Sequence, residues 1–332
     1  MAGLGRYLVR RAITFIPTIF GVVLISFTIA FVMPADPART WAGGQKASPR
    51  VVENIRKTYH LDDPFWVQFY YFLRNVLTNR IYSPVTHNSV FYEFSRRFPI
   101  TLNLAIMSMF FIVVIGIPLG IIAALKKDTA IDNAVRILAL IGYSTPSFWI
   151  AFIFMWVFYN KLRWMTLVGL PTPSKMITGI YVLDALILGE FDIFIAILRR
   201  LLLPAFILAF ISVGGLARYV RNSMLDVLSA DFVWFGRAKG LPPFRLWRHA
   251  LKNSLIPVVT VVFFMFGGLL GGAIITETVF GIPGLGVLYY SAISNLDIPV
   301  IVLTTLYAGV IIVVISLIVD IIYAIIDPRI RF

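Results

Sequence analysis

Five long stretches of this chain contain no Asp, Glu, Lys or Arg, and this feature limits the possible folds more than any other. A helix of about 20 apolar residues crosses the hydrocarbon core of a bilayer, and each stretch is long enough to form one. A sixth charge-free stretch is shorter but still within the usual range. We therefore predict an all-α integral membrane protein with six transmembrane helices. The stretches are Ala12 to Ala35, Phe98 to Leu125, Ile137 to Asn160, Leu201 to Ala217, Leu255 to Thr276 and Ile298 to Val319.

The distribution of Lys and Arg predicts the orientation of these helices. If the N-terminus is cytoplasmic and the spans alternate, the inner segments carry 15 basic and 6 acidic residues. The outer segments carry the other 14 basic and 10 acidic residues, mostly in two long loops that the positive-inside rule discounts. We expect both termini in the cytoplasm and the chain in the cell membrane. The net charge of +13 is then a topology signal, and it does not indicate nucleic-acid binding.

The predicted spans divide the chain into two parts. Residues 1–98 comprise the first span and a long outer segment with two helices, and residues 99–332 form a five-helix core with a cytoplasmic segment at 225–254. Ser48 with Pro49, and Asp63 with Pro64, fit helix starts. The second outer helix could lie at the membrane interface, cap an opening or merely pack on the surface. Its apolar stripe consists of Phe65, Trp66, Phe69, Phe72, Leu73 and Val76.

Several enzymatic motifs are absent from the sequence. It has no G-x-x-x-x-G-K-[ST] phosphate loop, no H-E-x-x-H pair and no G-x-S-x-G nucleophile motif. It also has no cysteine, so thiolate metal sites are excluded. The spans lack interior ionisable residues, and Glu277 and Asp320 stand only at span ends, which disfavours ion-coupled transport. We predict no catalytic residue, no metal site and no ATP hydrolysis by this chain, which must borrow its energy from a partner.

The stretch "RAKGLPPFRLWRHALKNSLIP" at 237–257 predicts two helices joined by a sharp turn. Residues 229–239 can continue a helix out of the fourth span, which Gly240 ends in the left-handed conformation. Leu241, Pro242 and Pro243 turn the chain, and a second short helix follows at 244–253. Three apolar side chains could then enter a groove on a partner: Phe244, Leu246 and Trp247. The alternative is a basic loop resting on anionic lipids, which explains the charge but not the Gly-Leu-Pro-Pro break.

Glycines and isolated polar residues provide further candidates. "GGLLGG" pairs Gly267 with Gly271 and Gly268 with Gly272 at the spacing of close helix packing, within this chain or with another. "TETVFGIPGLG" cannot be one continuous helix and suits a short re-entrant turn at the outer face. Polar residues at or near span ends are candidates for a translocation pathway, although Asn103 could equally bond a neighbouring helix. They are Thr101, Asn103, Tyr143, Ser147 and Glu277.

"GRAKGLPPFRLWRHALKNSLIPVVT" resembles the cytoplasmic loop of the membrane subunits of ATP-binding-cassette importers, specifically the dipeptide/oligopeptide permease family. The stretches "RYLVRRAITFIPTIFGVVLISF", "HLDDPFWVQFYYFL", "STPSFWIAFIF", "GGLLGGAIITETVFGIPGLG" and "DIIYAIIDPRIR" are also similar to segments of that family, in the same order. The resemblance implies a type I importer permease fold. It also implies a short coupling helix that sits in a cleft of the ATPase subunit. The coupling residues would be Arg237, Ala238, Lys239, Gly240, Leu241 and Phe244.

The resemblance further implies a transport complex. This chain would pair with a homologous second permease, two ATP-binding subunits would hold ATP and Mg²⁺, and an extracellular binding protein would deliver the substrate. The chain itself would hold no cofactor and would contact membrane lipid and no nucleic acid. Val233, Trp234 and Phe235 depart from the small or basic residues common there and could form a more apolar docking surface.

Other functions stay open at this point. Relatives in the resembled family import nickel or oligosaccharides, so the sequence does not decide between peptide and sugar. A stand-alone channel or secondary carrier, or a scaffold or receptor that moves no solute, are further alternatives.

Overall fold

The computed structural model describes residues 2–31, 36–42, 44, 47–163 and 169–326, and every regular element in this part of the chain is helical. The helices are α1 (Ala2–Phe31), α2 (Pro37–Trp41), α3 (Pro49–Thr58), α4 (Phe65–Leu77), α5 (Val90–Leu125), α6 (Ala130–Ser144), α7 (Ser147–Met155), α8 (Tyr181–Ile187), α9 (Phe191–Leu228), α10 (Asp231–Ala238), α11 (Pro243–Leu270), α12 (Ile274–Val279), α13 (Leu285–Ser294) and α14 (Ile298–Ile326). A π-helical turn, Trp156–Lys161, continues α7.

Four of the described helices are long and apolar enough to cross a membrane: α5, α9, α11 and α14. A fifth span is formed if α6 and α7 are counted together, although they are bent by 94° at the break around Pro146. The apolar part of α1, Ile13–Ile29, is shorter than these spans. The chain is thus a multi-pass membrane protein with four or five spans by length and composition, and the sixth stays a prediction.

Helix α9 is much longer than its charge-free stretch. The stretch Leu201 to Ala217 predicted a short span, whereas α9 has 38 residues and continues past Arg200 at one end and Arg218 at the other. Charges do not end a helix when the backbone hydrogen bonds continue and the flanking residues pack. Here α9 packs most extensively against α5 and also contacts α6 and α11. It is therefore the central helix of the bundle.

The outer helices pack through aromatic rings. Phe27 of α1 is fully buried and contacts Phe65, Phe69 and Phe72 of α4. Ser48 caps α3 as predicted, because its Oγ accepts a hydrogen bond from the Val51 backbone N–H. The aromatic contacts place α4 against α1 and explain the apolar stripe of α4.

The predicted cap of α4 is wrong in detail. Pro64 occupies the N-cap position in an extended conformation, and no side chain caps this helix. The carboxylate of Asp63 lies 2.8 Å from His60 Nδ1 instead. The helix begins one residue later than the pattern predicted, so Asp63 is too far from the first N–H groups to cap them.

Residues 169–190, which include α8, fold around one carboxylate. Asp184 is fully buried and accepts hydrogen bonds from the backbone N–H groups of Ile177, Thr178 and Gly179 and from the Thr178 hydroxyl. Burial on its own would raise the pKa of Asp184, but these hydrogen bonds outweigh it and lower the pKa below its ordinary value. The carboxylate is therefore ionised and holds the turn at neutral pH.

Candidate coupling segment and re-entrant hairpin

The coupling segment, which we define as residues 231–248, begins with a helix of its own. Helix α9 ends at Leu228, and Ala230 adopts an extended conformation that starts α10. The Ser229 hydroxyl donates to the Asp226 carbonyl, which ties the break to the last turn of α9. The prediction that 229–239 continues α9 was wrong, because this local hydrogen bonding interrupts the helix and reorients the chain.

The turn after α10 has the predicted geometry. Gly240 has φ = +71°, the left-handed region that glycine adopts without a steric penalty. Its N–H donates to Arg237 O over 2.9 Å, and the Leu241 N–H donates to Gly236 O over 3.1 Å. This pair of bonds is the Schellman arrangement that closes a helix C-terminus.

The helix that follows is not short. Pro243 is the first residue of α11, as predicted, but α11 runs without interruption to Leu270 and includes Pro257. The second half of the coupling segment is therefore the beginning of a membrane-spanning helix. A force on the turn acts directly on that span.

The two helices of the coupling segment pack through a small residue. A Cβ atom at Gly236 would lie 2.4 Å from Leu246 Cδ2, so a larger residue there would displace the Leu246 side chain. Leu246 is half-buried there, and Trp247 packs near Met224 and Ala250. Leu246 and Trp247 thus face inward, whereas the sequence predicted that they would be available to a partner.

Four aromatic side chains cover the outer face of the segment. Their exposed fractions are 44% for Phe232, 67% for Trp234, 69% for Phe235 and 75% for Phe244. Val233 is buried, so the more apolar surface suggested by the Val-Trp-Phe sequence consists of its two aromatic residues only.

Basic residues lie between and beside these aromatic residues in the sequence. Arg237, Lys239, Arg245 and Arg248 are exposed and form no ion pair with any described residue. All six residues that were predicted to couple are exposed. Aromatic residues and arginines are enriched in protein interfaces, so this face suits a protein partner.

The re-entrant hairpin, which we define as residues 273–294, is organised by Glu277. This side chain is fully buried, and its carboxylate accepts hydrogen bonds from Thr101 Oγ of α5 (2.9 Å) and from the backbone N–H groups of Gly286 (2.7 Å), Val287 and Ala273. Thr101 Oγ in turn accepts from the Leu285 N–H over 2.8 Å. These bonds fasten the hairpin to α5.

The glycines of "GIPGLG" make room for this carboxylate. A Cβ atom at Gly284 would lie 2.5 Å from both Glu277 Oε2 and Thr101 Oγ. A Cβ atom at Gly286 would lie 2.9 Å from Glu277 Oε2. The sequence predicted that these glycines break a helix, and the structure shows that they also admit the carboxylate to the backbone N–H groups.

The structure separates the five pathway candidates into two kinds. Thr101 and Glu277 bond each other, and Asn103 is buried and bonds the backbone of Pro99, Gly179 and Val182. The role of Asn103 in joining neighbouring segments was the alternative left open by the sequence. Two candidates flank the bend between α6 and α7: Tyr143, which is 75% exposed, and Ser147, which is half-buried. A pathway role for all five stays a prediction.

The "GGLLGG" glycines do not share one helical face. Gly267 packs against Ile315 of α14, at a point where a Cβ atom would lie 2.5 Å from the Ile315 side chain. Gly268 faces open space, and α11 ends at Leu270, so Gly271 and Gly272 lie beyond it. Gly272 has φ = +100° and approaches the Gly286 backbone instead. Among the described residues of this chain, Gly267 alone of the four makes a helix–helix contact.

Sequence reasoning missed one charged residue near the hairpin. Arg200 is only 4% exposed, and its guanidinium donates to the carbonyl groups of Gly169 and Phe280. Phe280 follows the last residue of α12, so the cation complements the negative end of that helix. In the sequence Arg200 only marked the start of a charge-free stretch, and nothing there signalled its burial.

Comparison of the sequence with known protein families identifies the family of this chain. Residues 116–332 match the family described as "Binding-protein-dependent transport system inner membrane component". Residues 4–105 match the N-terminal family described as "Binding-prot-dependent transport system membrane comp, N-term". The chain belongs to this family. It is a transport subunit of the cell membrane.

Individual relatives of this transport subunit are similar over nearly their whole length. The "Dipeptide transport system permease protein DppB" of Alkalihalophilus pseudofirmus is 37% identical over 98% of this chain and 99% of its own. The "Probable D,D-dipeptide transport system permease protein DdpB" of Escherichia coli K12 is 40% identical over 93% of each chain. The "Oligopeptide transport system permease protein AppB" of Bacillus subtilis is 34% identical over 99% of this chain and 100% of its own.

Proposed function

We propose that this chain is a permease subunit of a peptide importer. It forms part of the pathway for di- or oligopeptides and transmits the work of separate ATP-hydrolysing subunits, which hold the ATP and Mg²⁺. A homologous second permease completes the pathway, and an extracellular binding protein delivers the peptide. The names of the relatives support the substrate class, because three of them refer to dipeptides or oligopeptides.

The observation that carries the proposal is the outer face of the coupling segment. Four exposed aromatic side chains on one short segment would be an unfavourable surface in water, and the basic residues next to them in the sequence form no ion pair with any described residue. The rigid turn at Gly240 fixes this face relative to α11, so movement of a docked partner moves a membrane span. A passive channel would not need a mechanical connection between a docked partner and a membrane span.

The proposal also includes the topology. Helix α1 acts as the sixth span, the coupling segment and both termini lie in the cytoplasm, and residues 36–89 and 169–190 lie outside. The charge distribution supports this arrangement. The re-entrant hairpin then closes the outer end of the bundle next to residues 169–190.

The first test is affinity purification of the tagged chain from its native membrane in mild detergent, with all co-purifying proteins identified by mass. We expect a second permease, ATP-binding subunits and a binding protein. The complex is then placed in liposomes and assayed for ATP-dependent uptake of labelled di- and oligopeptides. A chain that is recovered alone, under conditions that preserve other membrane complexes, would contradict the proposal. Uptake of an oligosaccharide instead of peptides would change the proposed substrate class from peptide to oligosaccharide.

A matched pair of variants tests the coupling segment itself. Phe244→Ser removes an exposed ring from the proposed docking face, and Phe91→Ser removes a 68% exposed ring in the first turn of α5, outside the coupling segment. We expect Phe244→Ser to lower ATP-dependent uptake at least tenfold and to weaken retention of the ATP-binding subunit. Phe91→Ser should retain both properties. Equal uptake by the two variants would show that this face does not dock the ATP-binding subunit.

A further inference from the structure

A cavity of about 430 Å³ lies between α6 and α9, and its two walls differ in polarity. The α9 wall consists of two arginines and one asparagine, and the α6 wall consists of aliphatic side chains and one arginine. The cavity belongs neither to the coupling segment nor to the re-entrant hairpin. The lining residues are Val135, Arg136, Ile137, Ala139, Leu140, Arg218, Arg221 and Asn222.

A buried carboxylate orders two of the three arginines. Asp132 is fully buried and accepts hydrogen bonds from Arg221 Nε (2.6 Å) and Nη2 (2.7 Å) and from Arg136 Nε (3.2 Å) and Nη2 (2.5 Å). Both guanidinium groups are therefore held by two bonds each. Arg221 Nη1 makes only a long contact of 3.4 Å with Asn222, so a donor on the cavity side stays available. Arg136 and Arg221 are therefore held in place before any ligand binds.

The cavity carries an excess of positive charge. Asp132 and the exposed Asp128 are the carboxylates that pair with Arg136 and Arg221. Arg218 is exposed and pairs with no carboxylate among the described residues. Three guanidinium groups thus stand against two carboxylates, which favours an anionic ligand. Arginine is the residue best suited to phosphate, because its planar group donates two parallel hydrogen bonds.

The depth of the cavity in the bilayer follows from the sequence. Arg136 immediately precedes the charge-free stretch Ile137 to Asn160, and Arg218 immediately follows the charge-free stretch Leu201 to Ala217. On two neighbouring helices, therefore, the arginines mark one boundary between hydrocarbon and polar headgroups. Leu140 and Ile137 are exposed on the hydrocarbon side of this boundary. A ligand there has its charged part at headgroup depth and its apolar part in the bilayer.

We propose that this cavity binds an anionic phospholipid. The phosphate lies against Arg136, Arg218 and Arg221, and one acyl chain runs along Ala139 and Leu140. Basic pockets between transmembrane helices are known to favour anionic headgroups. The difference in polarity between the two walls suits a lipid better than a soluble phosphate, which would leave the aliphatic side chains uncovered.

The test is native mass spectrometry of the purified full-length protein, titrated with phosphatidylglycerol or phosphatidylcholine of identical acyl chains. We expect one site that prefers phosphatidylglycerol. Arg218→Gln should weaken that binding about fivefold, which is the contribution of one basic side chain near a membrane surface. Arg218 does not bond Asp132, so the fold should be retained. Arg80→Gln is the matched control, since Arg80 is exposed, lies outside both the cavity and the coupling segment and forms no ion pair with any described residue, so binding should be unchanged.

A second variant tests the aliphatic side chains of the α6 wall. Leu140→Trp leaves the charge unchanged but fills the cavity, so phosphatidylglycerol should bind less tightly. Equal affinity for both lipids, or an equal loss in Arg218→Gln and Arg80→Gln, would overturn the site. Competition by glycerol phosphate as effective as that by the intact lipid would assign a soluble phosphate instead. Loss of a partner subunit in Arg218→Gln, with lipid affinity unchanged, would assign the cavity to a protein contact.

Discussion

At the scale of single residues, glycine has two different functions in this protein. Gly240 supplies a positive φ that other L-residues adopt only at a cost, and it needs no space because no atom lies within 4 Å of its Cβ position. Gly284 supplies space for the Glu277 carboxylate and needs no unusual backbone conformation. The two kinds of site respond differently to substitution.

Substitution of Gly240 tests the conformational kind of site. Gly240→Val places a β-branched residue at φ = +71° and should destabilise the turn by about 1–2 kcal/mol. Gly240→Asn is the matched control, because asparagine tolerates this region. We expect both variants to insert into the membrane, and only Gly240→Val to lose ATP-dependent uptake in the liposome assay. Normal uptake by the valine variant would show that the turn does not couple ATP hydrolysis to transport.

Substitution of Gly284 tests the steric kind of site. Gly284→Ala would place a methyl group 2.5 Å from Glu277 and Thr101, and such overpacking costs about 1–3 kcal/mol. We expect a lower Tm in detergent, measured by the change in helix signal on heating. Gly268→Ala lies in open space on a helix and should leave Tm unchanged or raise it slightly. Equal Tm values for the two variants would contradict the packing of the hairpin on α5.

At the scale of elements, ordinary sequence signals located most helices, but the ends of helices depended on local contacts. Three helix ends agree with the prediction from residue type, namely those at Ser48, Gly240 and Pro243. Each of these residues acts on the backbone of its own turn, so no distant contact is needed to predict its position. The start of α4, the break after α9 and the full length of α11 were not predicted. These three helix ends depend on the hydrogen bonds that backbone groups form with residues of the next element.

The turn at 177–180 gives a prediction with a pH dependence. The folded pKa of Asp184 is lowered, so its contribution to stability is present above the ordinary value of about 3.9 and is lost as the pH falls through the folded pKa. Between pH 5 and 8 the turn should therefore be equally protected. Asp184→Asn should speed amide exchange at 177–179 more than tenfold at neutral pH, since hydrogen bonds to a charged group contribute about 1.5–3 kcal/mol.

Hydrogen exchange followed by mass spectrometry measures this effect peptide by peptide. Asp192→Asn is the control, because Asp192 is an exposed carboxylate outside the turn. Unchanged exchange in Asp184→Asn, or equally fast exchange in Asp192→Asn, would show that the carboxylate does not hold the turn.

At the scale of the whole molecule, the absence of cysteine makes the topology directly measurable. Single cysteines can be introduced without removing any native one. We expect a membrane-impermeant maleimide to label Tyr70→Cys in right-side-out vesicles, and to label Ala2→Cys and Phe244→Cys only after permeabilisation. Tyr70 and Phe244 are 61% and 75% exposed, so access is not limited by burial.

Each result has a separate meaning for the fold. Labelling of Tyr70→Cys and Phe244→Cys from the same side would contradict the three spans proposed between them, which are α5, α6 with α7, and α9. Labelling of Ala2→Cys together with Tyr70→Cys would show that α1 does not cross the membrane. The reverse pattern at all three positions would invert the orientation.

The sequence alone determined that this chain is helical and lies in a membrane, because apolar length without charge has few other stable outcomes in a cell. It also determined the turn at Gly240 and the resemblance of the coupling segment, since both depend on residues that are neighbours in the chain. Tertiary structure decided what the isolated polar residues do. Glu277 meets Thr101, and Asp132 meets Arg221, across many intervening residues. A buried carboxylate needs several donors at once, and only the folded chain brings those donors together.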